Sequence, residues 1–179
     1  MNKTVSIFGS SAPTETDPYY DAAYECGRLL AEAGFRICNG GYGGIMEASA
    51  KGAQEAGGET VGITVSSWSR KPNQWIQQEL RTASLNERLT KLVELGDAYI
   101  VLPGGTGTLL EFATVLELTN KEVIRGKPIV LLGSFWDGVV ETLRSDPAAI
   151  GEDYISRFVH KVRSPEELVE YLKGWAQQP

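Results

Sequence analysis

The chain has 179 residues, of which 42% are hydrophobic and 22% charged, and this composition predicts one globular domain over residues 1–179. Its formal net charge of −6 argues against a general surface for nucleic acid or anionic membrane, so any anion site must be local. No stretch reaches the roughly 18 apolar residues of a membrane span and no signal peptide opens the chain, so we expect a cytoplasmic protein.

Short apolar strands alternate with helices along the whole sequence. Strands are predicted at Thr4–Phe8, Phe35–Cys38, Thr60–Val65, Ala98–Leu102, Pro128–Leu132 and Arg157–His160. Helices are predicted over Tyr19–Ala33, from the glycine-rich turn after Asn39 to Ala56, and over Leu85–Leu95, Leu109–Leu118, Trp136–Leu143 and Pro165–Trp175. This alternation predicts an α/β fold, with a doubly wound, mostly parallel sheet and helices on both faces.

One segment, Ser66–Leu80, breaks the alternation. It contains Trp68, Trp75 and Pro72 among several amide side chains, and it has no clear helical or strand period. Two interpretations remain open. The segment is either a flap over an active site or a long crossover whose tryptophans pack on the surface.

A glycine-rich stretch, Leu102–Glu111 (LPGGTGTLLE), connects a predicted buried strand to a predicted helix. Glycines at such a turn let backbone N–H groups approach an anion, and the positive end of the helix dipole favours negative charge there. The stretch therefore predicts a phosphate loop built from Gly104, Gly105, Thr106, Gly107 and Thr108. Glu111 is expected in the first helical turn, where it either complements the dipole or lies close to a sugar attached to the phosphate.

Two further turns rich in small residues follow predicted strands. The first contains Gly9, Ser10 and Ser11, and the second contains Gly40, Gly41, Gly43, Gly44 and Met46. The carboxyl ends of parallel strands share one edge of a sheet, and open α/β sheets bind ligands at that edge. We therefore expect these turns to line one nucleotide site together with the phosphate loop.

Several common active sites are excluded by the sequence. His160 is the only histidine, which argues against a Ser-His-Asp device and against imidazole metal sites, and no Walker phosphate-binding motif occurs. Cys26 and Cys38 are too few for a disulfide framework. A phosphate cradle with an adjacent carboxylate suits hydrolysis of a nucleoside monophosphate at its N-glycosidic bond, but a plain nucleotide-binding module needs the same cradle.

Residues 103–111 (PGGTGTLLE) resemble the Pro-Gly-Gly-x-Gly-Thr-x-x-Glu signature of the Lonely Guy family, long mislabelled lysine-decarboxylase-like. Residues 40–46 (GGYGGIM) and 8–11 (FGSS) are similar to two other segments of that family, so the likeness covers about Thr4–Leu132. The resemblance implies a Rossmann-like fold and a phosphoribohydrolase acting on cytokinin riboside 5′-monophosphates or AMP. It also implies a homodimer with the site near the partner subunit, and neither a metal nor pyridoxal phosphate as cofactor.

The family's catalytic pair is an arginine in the helix before the signature and the glutamate that ends it, which correspond to Arg88 and Glu111. From the sequence alone, Arg88 would be a solvated residue or a partner of Glu87 or Glu94. The chain departs from cytokinin-activating members at Leu89, where lysine is usual, at Leu110, where an acid is usual, and at Glu47, where glycine is usual. Two hypotheses follow: hydrolysis of a purine nucleoside 5′-monophosphate, or a non-catalytic carrier of a nucleotide or phosphorylated cofactor.

Overall fold

Strands and helices alternate in a computed structural model that describes residues 3–145 and 154–178. The strands are β1 (Thr4–Phe8), β2 (Arg36–Asn39), β3 (Thr60–Val65), β4 (Gln78–Thr82), β5 (Ala98–Val101), β6 (Ile129–Leu132) and β7 (Val159–Val162). The helices are α1 (Pro18–Glu32), α2 (Ile45–Glu55), α3 (Leu85–Leu95), α4 (Thr106–Asn120), α5 (Asp137–Arg144), α6 (Tyr154–Phe158) and α7 (Pro165–Ala176). None of the helices in these two ranges is long and apolar enough to cross a membrane.

The strands form one sheet in the order β4-β3-β2-β1-β5-β6-β7, and every pair of neighbours is parallel. The chain moves outward from β1 to β4, returns to the centre, and then moves outward from β5 to β7. The direction of winding therefore reverses between β1 and β5. In open α/β sheets, the crevice beyond the carboxyl ends of two such strands is the usual ligand site.

Each face of the sheet is covered by its own layer of helices. On β1, Val5 and Ile7 pack into the core shared with α1, α2 and α7, whereas Phe8 packs into the core shared with α3, α4, α5 and α6. The central strands are buried on both faces, which explains why they read as continuous apolar runs. The prediction of a doubly wound α/β fold with one parallel sheet is confirmed.

Three local predictions differ from the structure. The end of Ser66–Leu80 belongs to β4, a polar strand at the edge of the sheet that lacks the apolar period of the central strands. The strand predicted at Arg157–His160 lies at Val159–Val162, because α6 extends to Phe158. Helix α4 begins at Thr106 rather than Leu109, so Glu111 lies in its second turn and not in its first.

Candidate active site

Three loops meet at the switch point, and Ser10 joins them through its backbone. The Ser10 N–H donates to the Pro103 carbonyl at 3.0 Å, which ties the loop after β1 to the loop after β5. The Ser10 carbonyl accepts from the Ile45 N–H at 2.9 Å, which ties the same loop to the start of α2. The structure thus brings the three predicted turns to one edge of the sheet.

The amino end of α4 is open to an anion. Helices α1, α3 and α7 each begin with an Asp or Ser side chain that accepts a backbone N–H, but Gly105 at the start of α4 supplies no such cap. Residues 105–107 are exposed, so solvent or a ligand reaches the first-turn N–H groups of the helix. Gly104 must lack a side chain, because a Cβ there would collide with the Thr108 hydroxyl.

The second glycine turn has a shape that requires its glycines. Gly41 and Gly44 have φ angles of 78° and 67°, in the left-handed region that other residues avoid. Asn39 is completely buried and holds the turn, because its amide donates to the Met46 carbonyl at 2.8 Å and its Oδ1 accepts from the Gly41 N–H at 2.8 Å. The sequence places Asn39 only at the start of the turn and gives no local signal of this organising role.

Arg88 and Glu111 form a buried ion pair beside these loops. Arg88 Nη1 lies 3.2 Å from Glu111 Oε1, and the two side chains are only 8% and 11% exposed. Arg88 Nε also donates to the Ile63 carbonyl at 2.8 Å, and Nη2 lies 3.9 Å from the Met46 sulfur. Arg88 is therefore neither solvated nor paired with a neighbour on its own helix.

The acids considered as alternative partners of Arg88 have other roles. The Glu87 carboxylate accepts from the Ala83 N–H at 2.7 Å, which completes the cap of α3 together with Ser84. The Glu94 carboxylate pairs with Lys91 at 2.6 Å. Glu111, which lies 23 positions further along the chain, is thus the partner of the Arg88 guanidinium.

The Glu111 carboxyl group has an unusual affinity for protons. Burial raises its pKa from the ordinary value of 4.5 to about 7, although the Arg88 guanidinium acts in the opposite direction. A carboxyl group that titrates near neutral pH, beside a cation and an open anion cradle, matches the requirements of acid–base or electrostatic catalysis. Among the residues that the structure describes, no cluster of three or more His, Cys, Asp or Glu side chains is suited to hold a metal ion.

The segment between β3 and β4 lies against the second glycine turn. Asn73 anchors it, because its Nδ2 donates to the Tyr42 carbonyl at 2.8 Å and its backbone N–H donates to the Gly41 carbonyl at 2.8 Å. The rings of Tyr42 and Trp68 are centred 5.6 Å apart, and the Arg88 guanidinium carbon lies 5.8 Å from each ring. No site residue can be assigned to Ser66–Leu80 from the sequence, because its contacts are with residues about 30 positions away along the chain.

The fold and these loops define a Rossmann-like α/β protein with glycine-rich turns and a buried Arg–Glu pair at the switch point of its sheet. The chain belongs to the SLOG cluster4 family, whose model matches residues 2–169. It is 33% identical over 134 residues to the cytokinin riboside 5′-monophosphate phosphoribohydrolase of Rhodococcoides fascians, a match that covers 73% of this chain and 67% of that protein. The resemblance to the Lonely Guy family is confirmed.

Solved structures of similar fold include proteins with a different described role. The molybdenum cofactor binding protein of Rippkaea orientalis is 26% identical, with a TM-score of 0.79 over 99% of both chains. The molybdenum cofactor carrier protein of Chlamydomonas reinhardtii has a TM-score of 0.73 over 99% of this chain and 100% of its own, but at 21% identity it shows the shared fold alone. Relatives therefore include both a named hydrolase and a named cofactor-binding protein.

Proposed function

We propose that this protein hydrolyses the N-glycosidic bond of a purine nucleoside 5′-monophosphate, AMP or an N6-substituted AMP, and is a phosphoribohydrolase rather than a lysine decarboxylase. The products are the free base and ribose 5-phosphate. The observation that carries the proposal is the buried contact between Arg88 and Glu111 beside the open amino end of α4. The named activity of the Rhodococcoides fascians relative supports it.

In the proposed reaction, the 5′-phosphate binds the loop formed by Gly104, Gly105, Thr106, Gly107 and Thr108. Backbone N–H groups at the start of α4 donate to the phosphate oxygens, and the helix dipole favours their charge. Glu111 is five residues along the same helix, so binding of the phosphate places the ribose beside its carboxyl group.

The bond between C1′ and the base nitrogen breaks as positive charge develops on the ribose. The Glu111 carboxylate stabilises this oxocarbenium-like centre and accepts a proton from the water molecule whose oxygen bonds to C1′. Arg88 orients the ribose phosphate or donates a hydrogen bond to the leaving base. The base takes up one proton from solvent water, and Glu111 returns the proton that it accepted to solvent, so that the sum is hydrolysis. Because Arg88 is held by Ile63 and Glu111, its guanidinium needs little reorganisation during the reaction.

The test is to incubate the purified protein with AMP and N6-substituted AMP and to separate any free base by chromatography. We expect base and ribose 5-phosphate in equal amounts. Glu111→Gln should abolish release of the base while phosphate-dependent binding persists, whereas Glu117→Gln, on the exposed side of the same helix, should retain the wild-type rate. An unchanged rate in Glu111→Gln would remove this residue from the mechanism.

The second candidate is a carrier that binds a nucleotide or phosphorylated cofactor without cleaving it. The specific observation in its favour is the similarity to the Rippkaea orientalis cofactor-binding protein over 99% of both chains. Leu89 and Leu110 also stand where cytokinin-activating members carry a lysine and an acid. If AMP raises the melting temperature of the protein but no base is released, the carrier function is favoured.

We also propose that the protein is a homodimer whose interface lies near this site. Leu109 and Leu110 are 37% and 41% exposed on α4, immediately before Glu111, and a second copy would remove their apolar surface from water. Light scattering should give twice the mass of one chain. A monomeric mass over the concentration range used for the activity assay would contradict the dimer but not the hydrolysis.

A further inference from the structure

Trp68 presents an aromatic surface that the hydrolytic mechanism does not use. Its side chain is 40% exposed, although the indole ring packs against the buried ring of Tyr42 at an angle of 32°. A large apolar side chain left open at the edge of a ligand crevice is typical of a recognition surface. The Trp68 ring also adjoins the Arg88 guanidinium, so this aromatic surface lies next to the Arg88–Glu111 pair.

The position of Trp68 is fixed by the end of β3. The Trp68 N–H donates to the Val65 carbonyl at 3.1 Å, and the Tyr42 hydroxyl accepts from the Val65 N–H at 3.0 Å. One residue of the sheet thus positions both rings. The Asn73 contacts with the Gly41 and Tyr42 carbonyls hold the rest of the segment in place.

Arg88 connects this aromatic surface to the carboxyl group. Its guanidinium carbon lies 5.8 Å from the centre of the Trp68 ring, and its Nη1 lies 3.2 Å from Glu111 Oε1. The ring and the carboxyl group are therefore both neighbours of one planar cation. In a nucleoside 5′-monophosphate the ribose links the base to the phosphate, so an aromatic ring close to the carboxyl group that serves the ribose suits the base.

We propose that Trp68, backed by Tyr42, forms a subsite that stacks the flat heteroaromatic ring of a phosphorylated ligand. This inference rests on one part of the proposed function, namely that the phosphate of the ligand binds the loop at the start of α4. Stacking recognises the face of the ring and not its edge, so the subsite accepts purines with substituents on their edges. Trp68 is then a specificity-determining residue that favours large flat rings over small ones.

The test compares Trp68→Leu with Trp75→Phe, which alters a tryptophan of the same segment that lies beside Lys51 instead of Arg88. Tryptophan fluorescence is recorded immediately after mixing the full-length proteins with AMP, CMP or ribose 5-phosphate. We expect AMP to quench the wild type and Trp75→Phe but not Trp68→Leu. Ribose 5-phosphate should compete with AMP without quenching. Isothermal titration calorimetry, which does not depend on quenching, should show that Trp68→Leu binds AMP at least about tenfold more weakly than the wild type.

The outcomes separate the subsite from the hydrolysis. If Trp68→Leu binds AMP as tightly as the wild type, or if AMP quenches both proteins equally, the subsite is refuted even when base is released. If no base is released by any variant while AMP still quenches through Trp68, hydrolysis fails and the subsite stands. Failure of AMP and CMP to change the fluorescence of the wild type would also refute the subsite. Circular dichroism of Trp68→Leu confirms that the variant is folded before these comparisons.

Discussion

Replacing Glu111 by glutamine should change how the stability of the protein depends on pH. In the folded protein the pKa of this carboxyl group is raised from 4.5 to about 7. Between those values the folded carboxyl group keeps a proton that the unfolded one has lost, so the wild type loses stability as pH rises through this window. At about 1.4 kcal/mol per pH unit, the loss amounts to roughly 3 kcal/mol and is complete above the folded-state pKa.

The glutamine variant removes this titration. It places a neutral amide beside Arg88 at every pH, as the protonated wild-type carboxyl group does below its folded-state pKa, so the stability of the variant does not depend on pH through this site. The unfolding free energy of the wild type should therefore fall by roughly 3 kcal/mol relative to that of Glu111→Gln as pH rises from about 4.5 to 8.

Urea unfolding, followed by circular dichroism at a series of pH values, measures this difference. Glu117→Gln is the matched control, because Glu117 lies on the same helix with 61% of its side chain exposed and should give a curve parallel to the wild type. If the wild-type and Glu111→Gln curves are parallel instead, the Glu111 carboxyl group titrates normally. The Arg88 charge would then offset the effect of burial on this carboxyl group.

Three further predictions concern activity with AMP. The kcat/KM should rise with pH through about 7, because the Glu111 carboxylate is the active form, and a profile already flat above about pH 5 would contradict this role. Arg88→Lys should lower kcat at least about 100-fold in steady-state assays, because an ammonium cannot reproduce the planar contacts of the guanidinium, and a near-normal kcat would show that only charge matters. Gly40→Ala should lower kcat/KM at least about tenfold, because the added Cβ would overlap Arg88, whereas Gly174→Ala meets no atom within 4 Å and should be neutral or raise the melting temperature slightly.

The sequence predicted the fold well because the central strands are buried on both faces and are therefore uniformly apolar. It did not predict β4 (Gln78–Thr82), because four of its five residues are polar and the strand pairs on one side only. The start of α4 was placed too late because glycine and threonine are weak helix formers. Thr106 and Gly107 occupy the first turn of α4 although neither favours helix formation. Their small side chains leave the backbone N–H groups of this turn accessible.

The geometry of the candidate site could be predicted in part. The glycine-rich turns can be recognised from consecutive residues in the sequence. The family resemblance pointed to Arg88 and Glu111, which are in contact in the structure. The surrounding residues could not be found in the same way. Asn39, Asn73 and Trp68 depend on contacts between separate segments, and nothing in their immediate neighbours along the chain distinguishes them from ordinary loop residues.

The backbone contacts of Ser10 have a consequence for the thermodynamics of ligand binding. Both polar groups of its peptide backbone are used to join the loops after β1 and β5 to the start of α2, so these walls of the crevice are ordered before any ligand arrives. Fixing the backbone of a loop on binding would cost about 1–2 kcal/mol for each residue immobilised. A ligand that enters this crevice meets little of that entropic cost, and more of its interaction energy is retained as affinity.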